Sequence, residues 1–204
     1  MKFRTRTQFV AVEGFVWIAA YLAIGALTFA IGIETIAIVA FLFAGVFAWF
    51  FRNPERIPEE SDPFVFIAPI DGKIIGVESK EDGVTLRIKN RLFDAHILRS
   101  PTQGLARVEA RQGLIGDIKP SLKILRQSEK IFIGQSEISL APSSQPSLIY
   151  PPREPCYLSE RIGIFFGGVL ETKLPKSAEM KIAVGNVVRA GETLLAARLS
   201  NTAE

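Results

Sequence analysis

The sequence predicts a mainly β protein, an antiparallel β domain preceded by a transmembrane helical hairpin. Three observations carry this. Between Phe15 and Phe51 the only charged residue is Glu34. From Arg52 onward the chain alternates in character and carries nearly all of the Lys and Arg. Past that point no stretch sustains a 3.6-residue apolar period, and short apolar runs bounded by turn residues take its place. A length of 204 residues suits one modest domain with an appendage. The division falls between residues 1–51, a basic segment with a two-helix anchor, and residues 52–204, the β domain.

The anchor reads GFVWIAAYLAIGALTFAIGIETIAIVAFLFAGVFAWFF. It holds two apolar runs of about 19 and 17 residues that part near Glu34 and Thr35, each long enough as a helix to cross roughly 30 Å of hydrocarbon. A signal peptide would have a shorter apolar region and then a small-residue cleavage site, whereas here a second apolar run follows. One long tilted helix would bury Glu34 at mid-membrane, which is costly. Lys2, Arg4 and Arg6 precede the first run, and Arg52 and Arg56 follow the second. By the positive-inside rule both ends face the cytoplasm and Glu34 lies in the short outer turn. The expected location is therefore the inner, cytoplasmic membrane, with the β domain on its cytoplasmic side. Trp17 and Trp49 belong at that same interface, where amphipathic rings are favoured.

Composition excludes several chemistries. The net charge is +3 and the pI about 9.1, but no basic stripe interleaved with aromatics and no nucleic-acid motif is present. Attraction to anionic lipid headgroups accounts for the excess equally well. Cys156 is the single cysteine, so no intrachain disulfide forms and a reducing cytoplasm is compatible. With one His and one Cys, a zinc cage built from those ligands is excluded, and no metal is expected. A nucleophilic pair of Cys156 and His96 is disfavoured, because Cys156 follows Pro155 in a proline-rich loop without an evident Asn or Asp partner.

The β domain is written in runs such as FVFIAP, GKIIGVE, GVTLRIKN, LARVEARQG, EKIFIGQSEISLA, RIGIFF and VLETKL. Their turn-bounded alternation predicts an antiparallel sandwich or a partly closed barrel. The stretch Ala141 to Pro155, APSSQPSLIYPPREP, is expected to be a surface excursion and not a central strand, since proline donates no ladder hydrogen bond. APIDGKIIGV and KIAVGNVVRAGETLLA resemble the glycine-punctuated hairpins of barrel-sandwich hybrids, although neither presents a convincing attachment lysine at its tip.

In RIGIFFGGVLETKLP a buried strand runs into Gly167-Gly168. A glycine pair marks a place where φ is positive or the backbone approaches another group closely, so this is a turn, a bulge or a site. His96 is the only histidine. Asp71 precedes a glycine in a common turn pair. Asp94 would share a strand face with His96 if the chain there is extended, either orienting the imidazole or lying in solvent.

Four blocks now fall in order: FFRNPERIP (Phe50 to Pro58), APIDGKI (Ala68 to Ile74), FDAHILRSPTQG (Phe93 to Gly104), and GIFFGG followed by KLP and VGNVVRAGETLLA. Together they resemble the phosphatidylserine decarboxylase family, most closely its short bacterial and archaeal branch, which includes archaetidylserine decarboxylases. The resemblance covers almost the whole chain. It implies a precursor that cuts itself at a Gly-Ser bond: the serine hydroxyl attacks the preceding carbonyl, the amide becomes an ester, and elimination leaves a pyruvoyl group. That ketone condenses with the substrate amine and serves as electron sink for loss of CO₂. By the same resemblance Gly167 precedes the cleavage bond and Gly168 occupies the serine position. Asp71 matches the acidic residue that supports self-cleavage, and His96 the histidine that assists proton transfer. Asp94 and Phe166 are the candidate substrate-binding residues.

Gly168 has no hydroxyl, so neither the acyl shift nor the elimination can begin, and the pyruvoyl group is not expected here. Ser159 and Thr172 are expected on adjoining strand segments, out of reach of that bond. The family's Asn-Glu-Arg block and its paired arginines are also unmatched in RQSEKIFIGQSEISLAPSSQPSLIY. The expectation is a homologue without normal decarboxylase activity that binds phosphatidylserine-like membrane phospholipids, or partners a lipid-biosynthetic enzyme or a second copy of itself. The alternative is an active or precursor-locked decarboxylase.

Overall fold

The computed structural model describes residues 9–60, 62, 64–110, 123–125, 129–140, 147–149 and 155–198. The chain divides into two compact units, one spanning Arg6–Glu55 and the other holding Arg56–Glu204.

The first unit is a pair of helices, α1 (Val12–Ala30) and α2 (Glu34–Phe50). Small residues let the two backbones approach, as is usual between apolar helices. Gly14, Gly25, Ala37, Ala40 and Ala44 are the buried positions, and Phe51 and Phe41 lie against Gly14 and Gly25. Tyr21 stacks on Phe43 and Phe47 at centroid distances of 5.4 and 5.3 Å, and Trp17 stacks on Phe47 at 5.9 Å. These contacts set Trp17 and Trp49 at the same end of the pair. The outward surfaces are apolar, with Val16, Leu27, Ile38 and Leu42 exposed. At 19 residues, α1 is long and apolar enough to cross a membrane, and α2 is a shorter apolar helix of 17. This supports membrane association of the chain.

Among the described residues of the second unit every strand pairing is antiparallel. In chain order its strands are β1 (Val65–Ile67), β2 (Gly72–Lys80), β3 (Gly83–Asn90), β4 (Ile97–Arg99), β5 (Ala106–Ala110), β6 (Lys123–Leu125) and β7 (Glu129–Ile133). There follow β8 (Ser136–Leu140), β9 (Ser147–Ile149), β10 (Arg161–Phe165), β11 (Gly168–Leu174), β12 (Ala178–Met180), β13 (Val187–Val188) and β14 (Leu194–Arg198). They form sheets in the orders β1-β14-β12, β4-β10-β9-β6 and β13-β2-β3-β11-β8-β7-β5. The mainly β, barrel-sandwich-like architecture expected from the turn-bounded runs is thus present.

Alternation decides which side chains reach the core. In β3, Leu86, Ile88 and Asn90 are buried while Arg87 and Lys89 face out. In β11 the inward series is Leu170, Thr172 and Leu174, with Leu170 opposite Ile88 and Thr172 opposite Leu86. The two glycine-punctuated stretches that resembled barrel-sandwich hairpins pair with each other. Val187 and Val188 lie opposite Lys73 and Gly72, and the Gly185 amide donates to the Ile74 carbonyl at 2.9 Å.

One expectation is corrected. The stretch from Ala141 to Pro155 is not wholly a surface excursion, because Ser147–Ile149 forms β9, an interior strand between β10 and β6. Ser-Leu-Ile is a proline-free tripeptide with every backbone donor intact, and Ile149 is buried. Residues 141–146 and 150–154 lie outside the described residues.

Candidate functional site

Asp71 stands immediately before β2. Its Oδ1 accepts from the Ala190 amide at 2.6 Å and its Oδ2 from the Arg56 guanidinium at 2.9 Å. Arg56 also donates to Glu192 at 2.8 Å. Gly72 follows because a Cβ there would collide with the Lys89 carbonyl on the neighbouring strand, so the Asp-Gly pair reflects close strand approach and not a free turn. The carboxylate is consequently fixed by two parts of the chain remote in sequence, at Arg56 and at Ala190.

Asn90 ends β3 at the inward position after Leu86 and Ile88. Its Nδ2 donates to the main-chain carbonyls of Asp71 at 2.8 Å and Ala95 at 3.1 Å. The amide orientation leaves Oδ1 facing His96 Nδ1 at 2.9 Å. His96 Nδ1 also lies 3.1 Å from the Phe165 carbonyl, and Nε2 lies 3.2 Å from the Leu92 carbonyl. Both ring nitrogens therefore face oxygen acceptors, and which of them donates depends on the tautomer. Asn90 and His96 are 3% and 1% exposed, so the pair is inside the protein and its hydrogen bonds are not exchanged with solvent.

The glycine pair completes the arrangement. β10 ends at Phe165, whose carbonyl faces His96, and Gly168 opens β11 directly opposite Asn90. Gly167 has φ +116° and Gly168 φ +121°, backbone states that residues with a Cβ rarely adopt. A Cβ on Gly167 would point toward Asn90 Oδ1 at 3.9 Å. Phe166 is half-buried between Phe165 and this turn. Asp71, Asn90, His96, Gly167 and Gly168 are therefore brought together, with Asn90 as the link.

Two residues are placed differently from expectation. Asp94 does not share a strand face with His96: it lies in the turn before β4, where its Oδ2 accepts from the Arg91 amide at 2.8 Å. A short polar side chain two residues before His96 satisfies its own turn first. Ser159 is not on a strand segment but in the turn ahead of β10, at φ +62°. Thr172 does lie on β11, buried on its inner face.

Positive charge collects beside Asp71. Arg99 is buried and donates to the Ser159 carbonyl at 3.1 Å. Burial, then repulsion from Arg56 and Arg161, lower its pKa to about 10 against the opposing pull of Asp71. It stays charged at neutral pH. The Cys156 thiol is buried and pushed up to about 11, chiefly by desolvation. It is protonated and inert as a nucleophile at neutral pH. Among the described residues no group of three or more His, Cys, Asp or Glu could hold a metal ion.

The fold and this cluster define a membrane-associated β protein with a buried Asn–His pair set against a two-glycine strand junction. The family model described as phosphatidylserine decarboxylase matches residues 43–115, which include Asp71, Asn90 and His96. The phosphatidylserine decarboxylase proenzyme of Chlorobium luteolum is 31% identical over 178 residues, covering 78% of this chain and 80% of that protein. The proenzymes of the same name from Desulfotalea psychrophila and Magnetococcus marinus are 27% and 23% identical, covering 91% and 92% of this chain and 95% and 94% of theirs. No solved structure matches. The chain belongs to the phosphatidylserine decarboxylase family, whose role is in phospholipid biosynthesis.

Proposed function

We propose that this chain is a member of the short bacterial and archaeal branch that keeps the headgroup site but does not form a pyruvoyl group, and that it acts as a lipid-binding or partner-binding homologue. The observation that carries this is the Gly167–Gly168 junction, which meets the Asn90–His96 pair with no side-chain nucleophile at residue 168. The residues present do not fit a pyruvoyl group, because its methyl carbon derives from the Cβ of a hydroxyl-bearing side chain, which Gly168 lacks, and without the Cβ–O bond there is nothing to eliminate.

Other hydroxyls do not substitute. Thr172 is four residues farther along β11, about 13 Å at strand rise. Ser159 precedes the whole of β10, whose five residues alone span about 16 Å. Neither reaches the Gly167 carbonyl, and attack requires separations near 3–3.5 Å. What the site retains is a fixed carboxylate, a buried imidazole and a cluster of arginines. Such a set suits the phosphate, carboxylate and ammonium of a phosphatidylserine-like headgroup. The test is the mass of the purified chain: one unbroken polypeptide supports the reading, and two pieces overturn it.

The same proposal places both helices across the membrane, with the β unit on the cytoplasmic face. The flanking Lys2, Arg4, Arg6, Arg52 and Arg56 motivate it. Protease added outside sealed right-side-out vesicles is expected to leave residues 56–204 intact. Digestion of that unit before the vesicles are opened would reverse the orientation.

A further inference from the structure

Across four strands of the largest sheet one row of residues is in register: Val187 opposite Lys73, Lys73 opposite Lys89, and Lys89 opposite Val169. Val187 is 74% exposed, and both lysines face solvent. One step past Asn90 the chain makes a tight turn. Its ends are tied by the Asp94 amide donating to the Arg91 carbonyl at 3.0 Å, and by the Arg91 amide donating to the Asp94 carboxylate at 2.8 Å. That turn presents Leu92 and Phe93, 66% and 74% exposed, beside exposed Arg91. Three cations and three large apolar side chains thus share one end of the sheet. The carboxylates nearest to them on β2 and β11, Glu78 and Glu171, are already paired with Arg87.

We propose that this end of the β unit, the Arg91–Asp94 turn with Lys73, Lys89 and Val187, docks onto an anionic lipid surface. Apolar tips among basic residues match the chemistry of an interface in which acyl chains lie beneath negative headgroups. Docking rests on the topology proposed above: with α1, long and apolar enough to cross a membrane, in the bilayer, such a surface stays close, so even weak docking is favoured by effective concentration. The turn is also joined to the site. The Leu92 carbonyl faces His96 Nε2 at 3.2 Å, so docking sets the Asn90–His96 pair next to the headgroup layer. A lipid could then enter the site without leaving the bilayer completely.

The experiment uses the full chain in vesicles of phosphatidylcholine, with or without phosphatidylglycerol, and a nitroxide quencher carried on the lipid at shallow depth. Phe93→Cys, Val187→Cys and the control Glu81→Cys are each labelled with an environment-sensitive fluorophore. Buried Cys156, its thiol raised to about 11, is left unlabelled. Glu81 lies in the turn at the far end of the β2–β3 pair, about 20 Å away along the strands.

The expected result is quenching at positions 93 and 187 in anionic vesicles, little in neutral ones, and none at position 81. Adding Lys73→Glu and Lys89→Glu to the Phe93→Cys chain is expected to lower the docking equilibrium constant, read from the ratio of quenched to unquenched label, at least 25-fold, at about five-fold for each lost charge. Equal quenching at all three positions, quenching indifferent to phosphatidylglycerol, or a signal that follows protein density as chain–chain contact would each overturn the proposal. The readout does not involve the Gly167–Gly168 bond, so its failure is distinct from failure of the non-processing reading.

Discussion

Asn90→Ala is expected to lower the stability of the β unit by about 3 kcal/mol or more. The side chain donates to the carbonyls of Asp71 and Ala95 and hydrogen-bonds His96, and all of this happens at 3% exposure. Alanine removes three hydrogen bonds and leaves their partners in a place water does not reach. Each stranded group costs about 1–3 kcal/mol, and partial relaxation recovers some of it. The loss is local in origin but broad in effect, because Asn90 ties β3 both to the segment entering β2 and to the chain leading into β4. Asn90→Asp should also be destabilised, since it would turn a second oxygen toward two carbonyl oxygens. Chemical denaturation of the full chain in detergent, followed by loss of β signal, gives the number. A change below 1 kcal/mol in Asn90→Ala would show that the network is solvated and not structural.

Gly168→Ser is expected to leave the chain uncut, or to cut it slowly with little CO₂ release from phosphatidylserine. Serine would restore the hydroxyl, with Gly167 supplying the carbonyl, and Asp71 and His96 stand nearby for proton transfer. Geometry opposes it. At φ +121° a serine is strained by about 1–3 kcal/mol, and the turn would shift to relieve that strain. A shift of 1 Å between hydroxyl and carbonyl is enough to slow the attack about 100-fold. The unmatched Asn-Glu-Arg and paired-arginine blocks point the same way, toward a site altered in more than one place. A time course of chain cleavage, followed by CO₂ assay, decides it. Rapid complete cutting with sustained turnover would show an intact decarboxylase lacking one oxygen.

Much of this protein was legible before its structure. The charge-free run around Glu34 predicted two helices, and strand-like alternation predicted antiparallel sheets, because burial imposes periods of 3.6 and 2 on the sequence. His96, Asp71 and the glycine pair were reached through blocks in a known order. Asn90 was missed, although a signal was present: in GVTLRIKN the inward series Leu86, Ile88, Asn90 ends in a polar side chain on a core face. A polar residue in such a place needs buried partners, and those come from segments that sequence spacing does not connect. Arg56 enters the sequence reading as a topology signal and within the FFRNPERIP block but with no partner, because its double pairing with Asp71 and Glu192 depends on contacts 15 and 136 residues away. Asp94 was misplaced because alternation was extended through a turn. β9 was missed because proline density around a short apolar tripeptide concealed it.

With glycine at residue 168, this family member is expected never to make its own ketone. Intact-mass measurement on the denatured full chain, with and without prior treatment by a carbonyl-reactive amine such as hydroxylamine, decides it. The expected result is a single uncut species, with no mass added by the probe. Two polypeptides meeting between Gly167 and Gly168, the second carrying a carbonyl that reacts with the probe, would contradict it.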